Sequence, residues 1–198
     1  YTYFESQVSH KIKQAIKTFK SGKMVIVVDD KDRENEGDFI ISAELCKPED
    51  INFMMKEARG LICVSITSQR ANQLKLSPMV SSSTAVHETN FTVSVDAIKN
   101  ATTGISAKDR WKTVKVLLDE KSKPEDLGRP GHMFPLIAKE GGVLQRAGHT
   151  EAAMDLSKLS GLKSGALLVE IVNDDGTMAR VPQLEKIAKK FNLSLISI

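Results

Sequence analysis

Met24-Val-Ile-Val-Val28 runs directly into Asp29-Asp-Lys-Asp-Arg-Glu-Asn-Glu-Gly-Asp-Phe-Ile-Ile-Ser42. The apolar run reads as a buried strand. The acids around one arginine behind it lie where a strand leaves a core, the edge at which α/β proteins place their chemistry. A charge run of this composition also serves as a plain solvated turn, and nothing within it decides between the two.

A second segment shifts the balance. Arg129-Pro-Gly-His-Met-Phe-Pro-Leu-Ile-Ala138 is followed by Gly141-Gly-Val-Leu-Gln-Arg-Ala-Gly-His-Thr-Glu-Ala-Ala153. Two of the four histidines fall here, His132 and His149, each directly after a glycine that lets backbone approach a ligand closely. Acids and histidines in separate, glycine-punctuated loops are what a hard-metal sugar-phosphate site requires.

Outward from these segments, helical and strand patterns alternate. Val8, Ile12, Ala15, Ile16 and Phe19 follow helical spacing, and Ser21-Gly22 supplies the stop. Pro48-Glu49-Asp50 opens a helix with Ile51, Met54, Met55 and Ala58 on one face, and Gly60 ends it before a strand from Leu61 to Ile66. Both methionines read as core filler. Ser68 is expected to cap a short helix through Leu74, and Phe91 to Val95 alternates as a half-buried strand. Ser106-x-x-Asp109 has the pattern of a capping box before a helix carrying Trp111, Val114, Leu117 and Leu118. A helix is expected over 151–159, a strand from Leu167 to Val172, a hairpin over 173–180, a helix opened by Pro182, and a strand from Leu193 to Ile198. Strands separated by helices, with one hairpin, predict a mixed sheet covered by helices rather than an all-parallel doubly wound sheet.

At 198 residues, with 41% hydrophobic and 27% charged residues, the chain reads as one well-cored domain over 1–198. Its apolar runs are too short to span a bilayer, so no membrane partner is expected. Lys and Arg total 28 against 25 Asp and Glu, and the signs are interspersed, which argues against a nucleic-acid partner. Cys46 and Cys63 lack metal-knuckle spacing and suggest reduced thiols in a cytoplasmic protein, Cys63 most simply in the core. The opening Tyr-Thr-Tyr-Phe-Glu-Ser has no basic or apolar region of a secretory signal, and the absence of an initiator Met points to processing or trimming.

Arg146-Ala147-Gly148-His149-Thr150 stands at the mouth of the helix expected from Glu151. Free amides at a helix N-terminus, a threonine hydroxyl and an arginine fork suit a phosphate monoester, although a plain Thr cap beside a surface Arg has the same sequence. His149 beside that cradle, with Glu34 from the acidic run, would complete a site for Mg²⁺, which takes oxygen ligands and keeps several waters.

The motifs Asp29-Asp-x-Asp-Arg-Glu-Asn-Glu-Gly-Asp38, Gly60-Leu-Ile-Cys-Val64, Phe91-Thr-Val-Ser-Val-Asp96, Thr102-Thr-Gly-Ile-Ser-Ala-x-Asp-Arg110, Arg129-Pro-Gly-His-x-Phe-Pro-Leu136, Gly148-His-Thr-Glu-Ala152 and Glu170-Ile-Val-Asn-Asp-Asp-Gly-Thr-Met-Ala-Arg180 cover essentially the whole chain. Together they resemble 3,4-dihydroxy-2-butanone 4-phosphate synthase of riboflavin biosynthesis. The resemblance implies an α+β, three-layer α-β-α domain with a mixed sheet, working as a homodimer. It implies a lyase, dependent on Mg²⁺ with Mn²⁺ as the alternative metal, that converts D-ribulose 5-phosphate into L-3,4-dihydroxy-2-butanone 4-phosphate and formate. Carried over by motif, Glu34 and His149 are the metal ligands, Arg33 and Asp38 contact substrate, and Arg146, Ala147, Gly148, His149 and Thr150 grip its phosphate. His132 and Glu170 are the acid/base pair, Glu170 also contacting substrate.

The chemistry fits that set. Removing a proton beside a ketone yields an enediolate, whose charge a metal chelated by adjacent oxygens stabilises. Glu170 follows Leu167-Leu168-Val169, so partial desolvation is expected to raise its pKa; strand alternation also allows it to face solvent. One stretch departs from the family pattern: His87-Glu88-Thr89-Asn90 brings charge and bulk where a Gly-Thr pair is usual, which leaves His87 and Thr89 without an assigned role. A ketose-phosphate isomerase or aldolase would use the same groups without releasing formate, and a sugar-phosphate-binding module would need no acid/base pair. In this family a GTP cyclohydrolase II domain often accompanies the synthase.

Overall fold

The computed structural model describes residues 2–198, with side chains from His10 onward, so the expected core role of Val8 lies outside the described residues. Helix α1 spans Thr2–Lys20 and feeds strand β1, Val25–Val28. The acidic run then turns the chain back into β2, Gly37–Ser42, antiparallel to β1 with Val28 opposite Gly37 and Val25 opposite Ile40. Helix α2 (Pro48–Phe53) continues through a π-helical turn, Met54–Ala58, to β3, Cys63–Ile66. Then come α3 (Ser68–Gln73), β4 (Val95–Ala97), α4 (Ala107–Leu118), β5 (Leu127–Ile137), α5 (His149–Leu159), β6 (Ala166–Glu170), α6 (Val181–Phe191) and β7 (Leu195–Ser197).

The seven strands form one mixed sheet in the order β4-β5-β3-β6-β2-β1-β7. Pairs β1/β7 and β3/β5 are parallel; the others are antiparallel. Each face carries its own core, because successive side chains of a strand point to opposite sides. Ile26, Phe39, Ile41, Val64, Leu167 and Val169 face a layer that includes α2, α4 and α6, with Ile51, Val114, Leu117 and Leu184 completing it. Val25, Val27, Ile40, Cys63, Leu136 and Leu168 face α1 and α5, whose Ala15, Phe19, Ala152 and Leu156 cover them. The expected three-layer mixed-sheet architecture is the one observed.

Several local readings need correction. Arg129 to Ile137, expected as a loop, belongs to the eleven-residue β5. Its Gly128, Pro130, Gly131 and Pro135 are residues that ordinarily break strands, but β3 and β4 flank it on both sides. The strand expected over Phe91–Val95 is displaced to Val95–Ala97, leaving isolated bridges from Phe91 to Leu136 and from Thr92 to Pro78. The π turn shifts the helical phase, so Met54 is fully buried while Met55 is exposed. Thr67, not Ser68, caps α3. The hairpin over 173–180 reduces to one bridge, Val172 to Met178. Ser106 does cap the Asp109 amide, but the Asp109 carboxylate does not return to Ser106. Instead it accepts from the Thr102 amide and hydroxyl and the Gly104 amide, so the hydroxyl-rich turn before α4 is tied internally.

Candidate active site

The acidic run folds around its own first carboxylate. Asp29, buried at the end of β1, accepts from Arg33 Nη1 at 2.8 Å and from the amides of Glu34 and Glu36 at 3.1 and 2.9 Å. Asn35 turns the loop in the left-handed region at φ 53°. Arg180, just before α6, donates to the Glu34 and Asn35 carbonyls and pins the loop from outside. A Cβ at Gly37 would sit 2.5 Å from the Leu184 methyls, so any larger residue there would have to push the fully buried Leu184 aside. The run is therefore a built loop, not a solvated turn.

That construction aims two carboxylates at α5. Glu34 Oε2 lies 3.6 Å from His149 Nδ1 and 3.4 Å from Arg33 Nη1. His149, the first residue of α5, is buried, with Nε2 3.1 Å from the Glu36 carbonyl and 3.9 Å from Asp38 Oδ1. Asp38 on β2 stands directly opposite Glu170 on β6, so the two carboxylates are cross-strand neighbours on one face. Glu170 is half-buried and accepts from the Leu61 amide at 2.9 Å. Gly60 makes this approach possible, because a Cβ would lie 2.4 Å from the Glu170 carbonyl oxygen.

These groups line a cleft of about 150 Å³ over the α1/α5 face of the sheet. Arg33, Glu34, Asp38, Arg146, His149, Thr150 and Glu170 all border it. The first turn of α5 brings backbone N–H groups and the positive end of the helix dipole to the same place, while the Gly148 amide itself donates to the Arg146 carbonyl at 2.8 Å. Ala147 is exposed beside it and does not line the cleft. His132 is likewise outside the lining: it stands where β5 meets β4, half exposed, with Nδ1 2.7 Å from Asp96 Oδ2. A single chain thus does not bring His132 and Glu170 into one cavity.

Sequence reasoning missed part of the wall. Cys63, Leu136 and Leu168 supply an apolar floor from three adjacent strands, and Phe91 and Thr89 close one side. Thr89 accepts from Arg146 Nη2 at 3.3 Å, and the same guanidinium donates to the His87 carbonyl, so the divergent 87–90 stretch is tied to the cleft. Buried Glu151 holds Arg146 Nη1 at 2.6 Å and also accepts the Lys139 amide at 2.9 Å. Both Glu151 and Cys63 lie within motifs quoted above, Gly148-His-Thr-Glu-Ala152 and Gly60-Leu-Ile-Cys-Val64; that was the usable signal, and the reading of Cys63 as plain core passed over it.

Electrostatics separate the carboxylates. Pairing with His149 holds Glu34 below the usual carboxylate range against the opposing effect of burial, and Arg33 adds to it. Burial drives Asp38 upward, the His149 charge resists, and Glu170, Glu34 and Glu36 add to the rise, so its carboxyl is pushed up to about 7. Burial disfavours the His149 imidazolium, but Asp38, Glu34 and Asp29 outweigh it and His149 is pushed up to about 9. Asp38 Oδ1 is buried without a hydrogen-bond partner among the described residues. An ionisable oxygen left in this state is a mark of a site built for a ligand.

The residues present fit a small hard cation. Ligand atoms of Asp29, Glu34 and His149 all lie within 4.8 Å of one another. Asp29 already accepts from three donors of its own loop, which makes Glu34 and His149 the better placed pair for an ion. One carboxylate and one imidazole beside open space suit Mg²⁺ or Mn²⁺ better than Zn²⁺, which prefers a fuller protein shell.

Sequence comparison places residues 13–198 in the match to the family described as 3,4-dihydroxy-2-butanone 4-phosphate synthase. The chain belongs to that family. It is 61% identical over 188 residues to the riboflavin biosynthesis protein RibBA of Cytophaga hutchinsonii, covering 94% of this chain and 46% of that protein. RibBA of Bacillus mycoides is 57% identical over 189 residues, covering 96% and 47%. The chain therefore spans about half the length of the curated relatives it matches. Among solved structures, a 3,4-dihydroxy-2-butanone 4-phosphate synthase in complex with two magnesium ions superposes with a TM-score of 0.90 at 39% identity, covering 94% of this chain and 92% of that one. RibBX of A. baumannii, a two-domain synthase, also gives 0.90, at 45% identity over 94% of this chain and 55% of that one. Among the described residues no helix is long and apolar enough to cross a membrane.

Proposed function

We propose that this synthase-family domain converts D-ribulose 5-phosphate to L-3,4-dihydroxy-2-butanone 4-phosphate and formate with Mg²⁺, or Mn²⁺ in its place, held by Glu34 and His149. The observation that carries the reading is the convergence of Glu34, Asp38, His149 and Glu170 at the N-terminus of α5. The α5 amides, Thr150 and Arg146 receive the phosphate, and Ala147 contributes backbone to that turn. The bound cation supplies Lewis-acid stabilisation of negative charge on the substrate's adjacent oxygens. Glu170, held in place by the Leu61 amide, takes the first proton. Asp38, with its carboxyl near 7, is placed to pass protons in either direction at neutral pH. Arg33 faces the substrate from the acidic loop, and the apolar floor keeps reactive carbonyl intermediates from water.

His132 completes the site from a second copy. Ile98 and Ile105, on the segments that flank Asp96, are both about half exposed, and they mark the surface that a homodimer would cover. Mixing His132→Ala and His149→Ala chains, each inactive alone, should restore roughly a quarter of wild-type turnover, since half the dimers are mixed and each has one intact site. No recovery on mixing would place both histidines' work in one chain or remove His132 from it.

The domain over 1–198 is proposed as the synthase half of a longer protein carrying a GTP cyclohydrolase II domain, in keeping with the length of its relatives. A cytoplasmic location accords with its reduced cysteines and small-molecule substrate. The reaction is tested by incubating the chain with ribulose 5-phosphate, with Mg²⁺ and with EDTA, and quantifying formate. Stoichiometric formate with Mg²⁺ only is expected. Substrate loss without formate would replace the synthase with an isomerase or aldolase, and no consumption would leave only binding.

A further inference from the structure

We propose that Asp96 is a positioning residue that fixes the orientation and tautomer of His132, so that Nε2 is the nitrogen presented for proton transfer. The inference rests on the reading of His132 as part of the reacting machinery.

The geometry is specific. β4 and β5 pair with Val95 opposite Met133 but Asp96 opposite Gly128, a register shift that leaves residues 129–132 outside the ladder. Such irregularities re-aim side chains. Here the His132 amide, which has lost a strand partner, donates to Asp96 Oδ1 at 2.8 Å, and its ring Nδ1 lies 2.7 Å from Asp96 Oδ2. One carboxylate thereby holds both ends of the same residue. An ionised carboxylate only accepts, so Nδ1 must carry hydrogen and the neutral ring has its lone pair on Nε2. Among the described residues Nε2 has no protein partner, and the ring is 44% exposed.

Asp96 is itself held. Gly104, at φ +96°, packs against it so closely that a Cβ would sit 2.2 Å from Oδ2. The Gly104 amide is fixed by Asp109, the capped residue in the first turn of α4. The charged side chain facing Asp96 from that helix is Arg110, whose Nε is occupied by the Ile105 carbonyl. The Thr-Thr-Gly-Ile-Ser turn thus acts as a brace, running from α4 through Asp96 to the imidazole.

Asp96→Asn is the near-isosteric test. The amide oxygen can keep the His132 N–H, while its NH₂ faces Nδ1, which must then accept; the proton moves to Nε2 and the presented nitrogen reverses from acceptor to donor. The expected result is a kcat lower by roughly a hundredfold, within the range of one acid/base group, with KM for ribulose 5-phosphate changed by less than about twofold. Two-bond ¹H–¹⁵N correlation of the neutral His132 ring, in full-length protein with Mg²⁺, should show hydrogen on Nδ1 in the wild type and on Nε2 in the variant. Asp96→Asn added to His132→Gln should lower kcat no further than His132→Gln alone. Wild-type turnover in Asp96→Asn beside an impaired His132→Gln would overturn the inference while leaving the His132 role standing, as would additive losses. Undiminished turnover in His132→Gln would overturn both. If Asn unfolds the chain, Asp96→Ala, which frees the ring without reversing it, is judged by the same kcat against KM split.

Discussion

Glu34→Ala and His149→Ala are each expected to lower Mg²⁺-dependent formate release by more than about a thousandfold, because a metal supplies several kcal/mol of charge stabilisation and each kcal/mol enters the rate exponentially. Both should fold, since neither side chain belongs to either apolar core. The two variants differ in a second readout. His149 is pushed up to about 9, so in the metal-free chain at neutral pH the imidazole carries a proton that a cation must displace. Wild-type affinity for Mg²⁺ should therefore tighten as pH rises towards 9, with proton uptake by buffer measurable in titration calorimetry across buffers of different ionisation enthalpy. His149→Ala should remove that proton release along with the binding, whereas Glu34→Ala should weaken binding and leave His149 still partnered by Asp38. Full formate release in both variants would discard Glu34 and His149 as the metal pair.

The parts of the molecule legible in the sequence were those whose pattern is local. The face of α4 followed from 3.6-residue spacing, and the acidic run and the Gly-His-Thr start of α5 were visible as charge and glycine at element ends, each with an ordinary structural use alone and marking a site only together. What escaped depends on pairing between distant segments. β5 reads as a loop because its prolines and glycines ordinarily break strands, and only β3 and β4 on either side make it one. Asp38 and Glu170 gain their chemistry from standing opposite each other on adjacent strands, a register no single-segment pattern carries. The carboxyl that burial lifts into the neutral range is that of Asp38, whose burial follows from this pairing and from no pattern in its own segment. His132 shows the converse: its motif marked it as functional, while its position outside the cleft emerged only from the fold.

Asp38→Asn should make the metal-free chain more stable at pH 8 while removing activity. Asp38 has a folded-state pKa of about 7 against an ordinary 3.8, so the folded chain holds the proton more tightly than the unfolded one. Its contribution to stability is complete below about 3.8 and is lost as pH rises through about 7. Above that range an ionised carboxylate stays buried with Oδ1 lacking any hydrogen-bond partner among the described residues. The shift corresponds to an upper bound of about 4 kcal/mol at about 1.4 kcal/mol per unit. His149 has the same sign, its contribution complete below its ordinary 6.5 and lost through about 9, and it is the charge that keeps Asp38 from rising further. Asparagine removes the buried anion but also the attraction for His149, so a net gain of about 1–2 kcal/mol is expected, or roughly 2–8 °C in Tm for a chain of this size. Thermal unfolding in EDTA from pH 5 to 9 should show wild-type Tm falling across neutrality and a flatter curve for Asp38→Asn, the two crossing below pH 7. An Asp38→Asn chain that is less stable at pH 8, with the wild-type slope intact, would show that the strain does not reside in this carboxylate. A site that gains stability by losing its function is the signature of groups held in place for a ligand rather than for the fold.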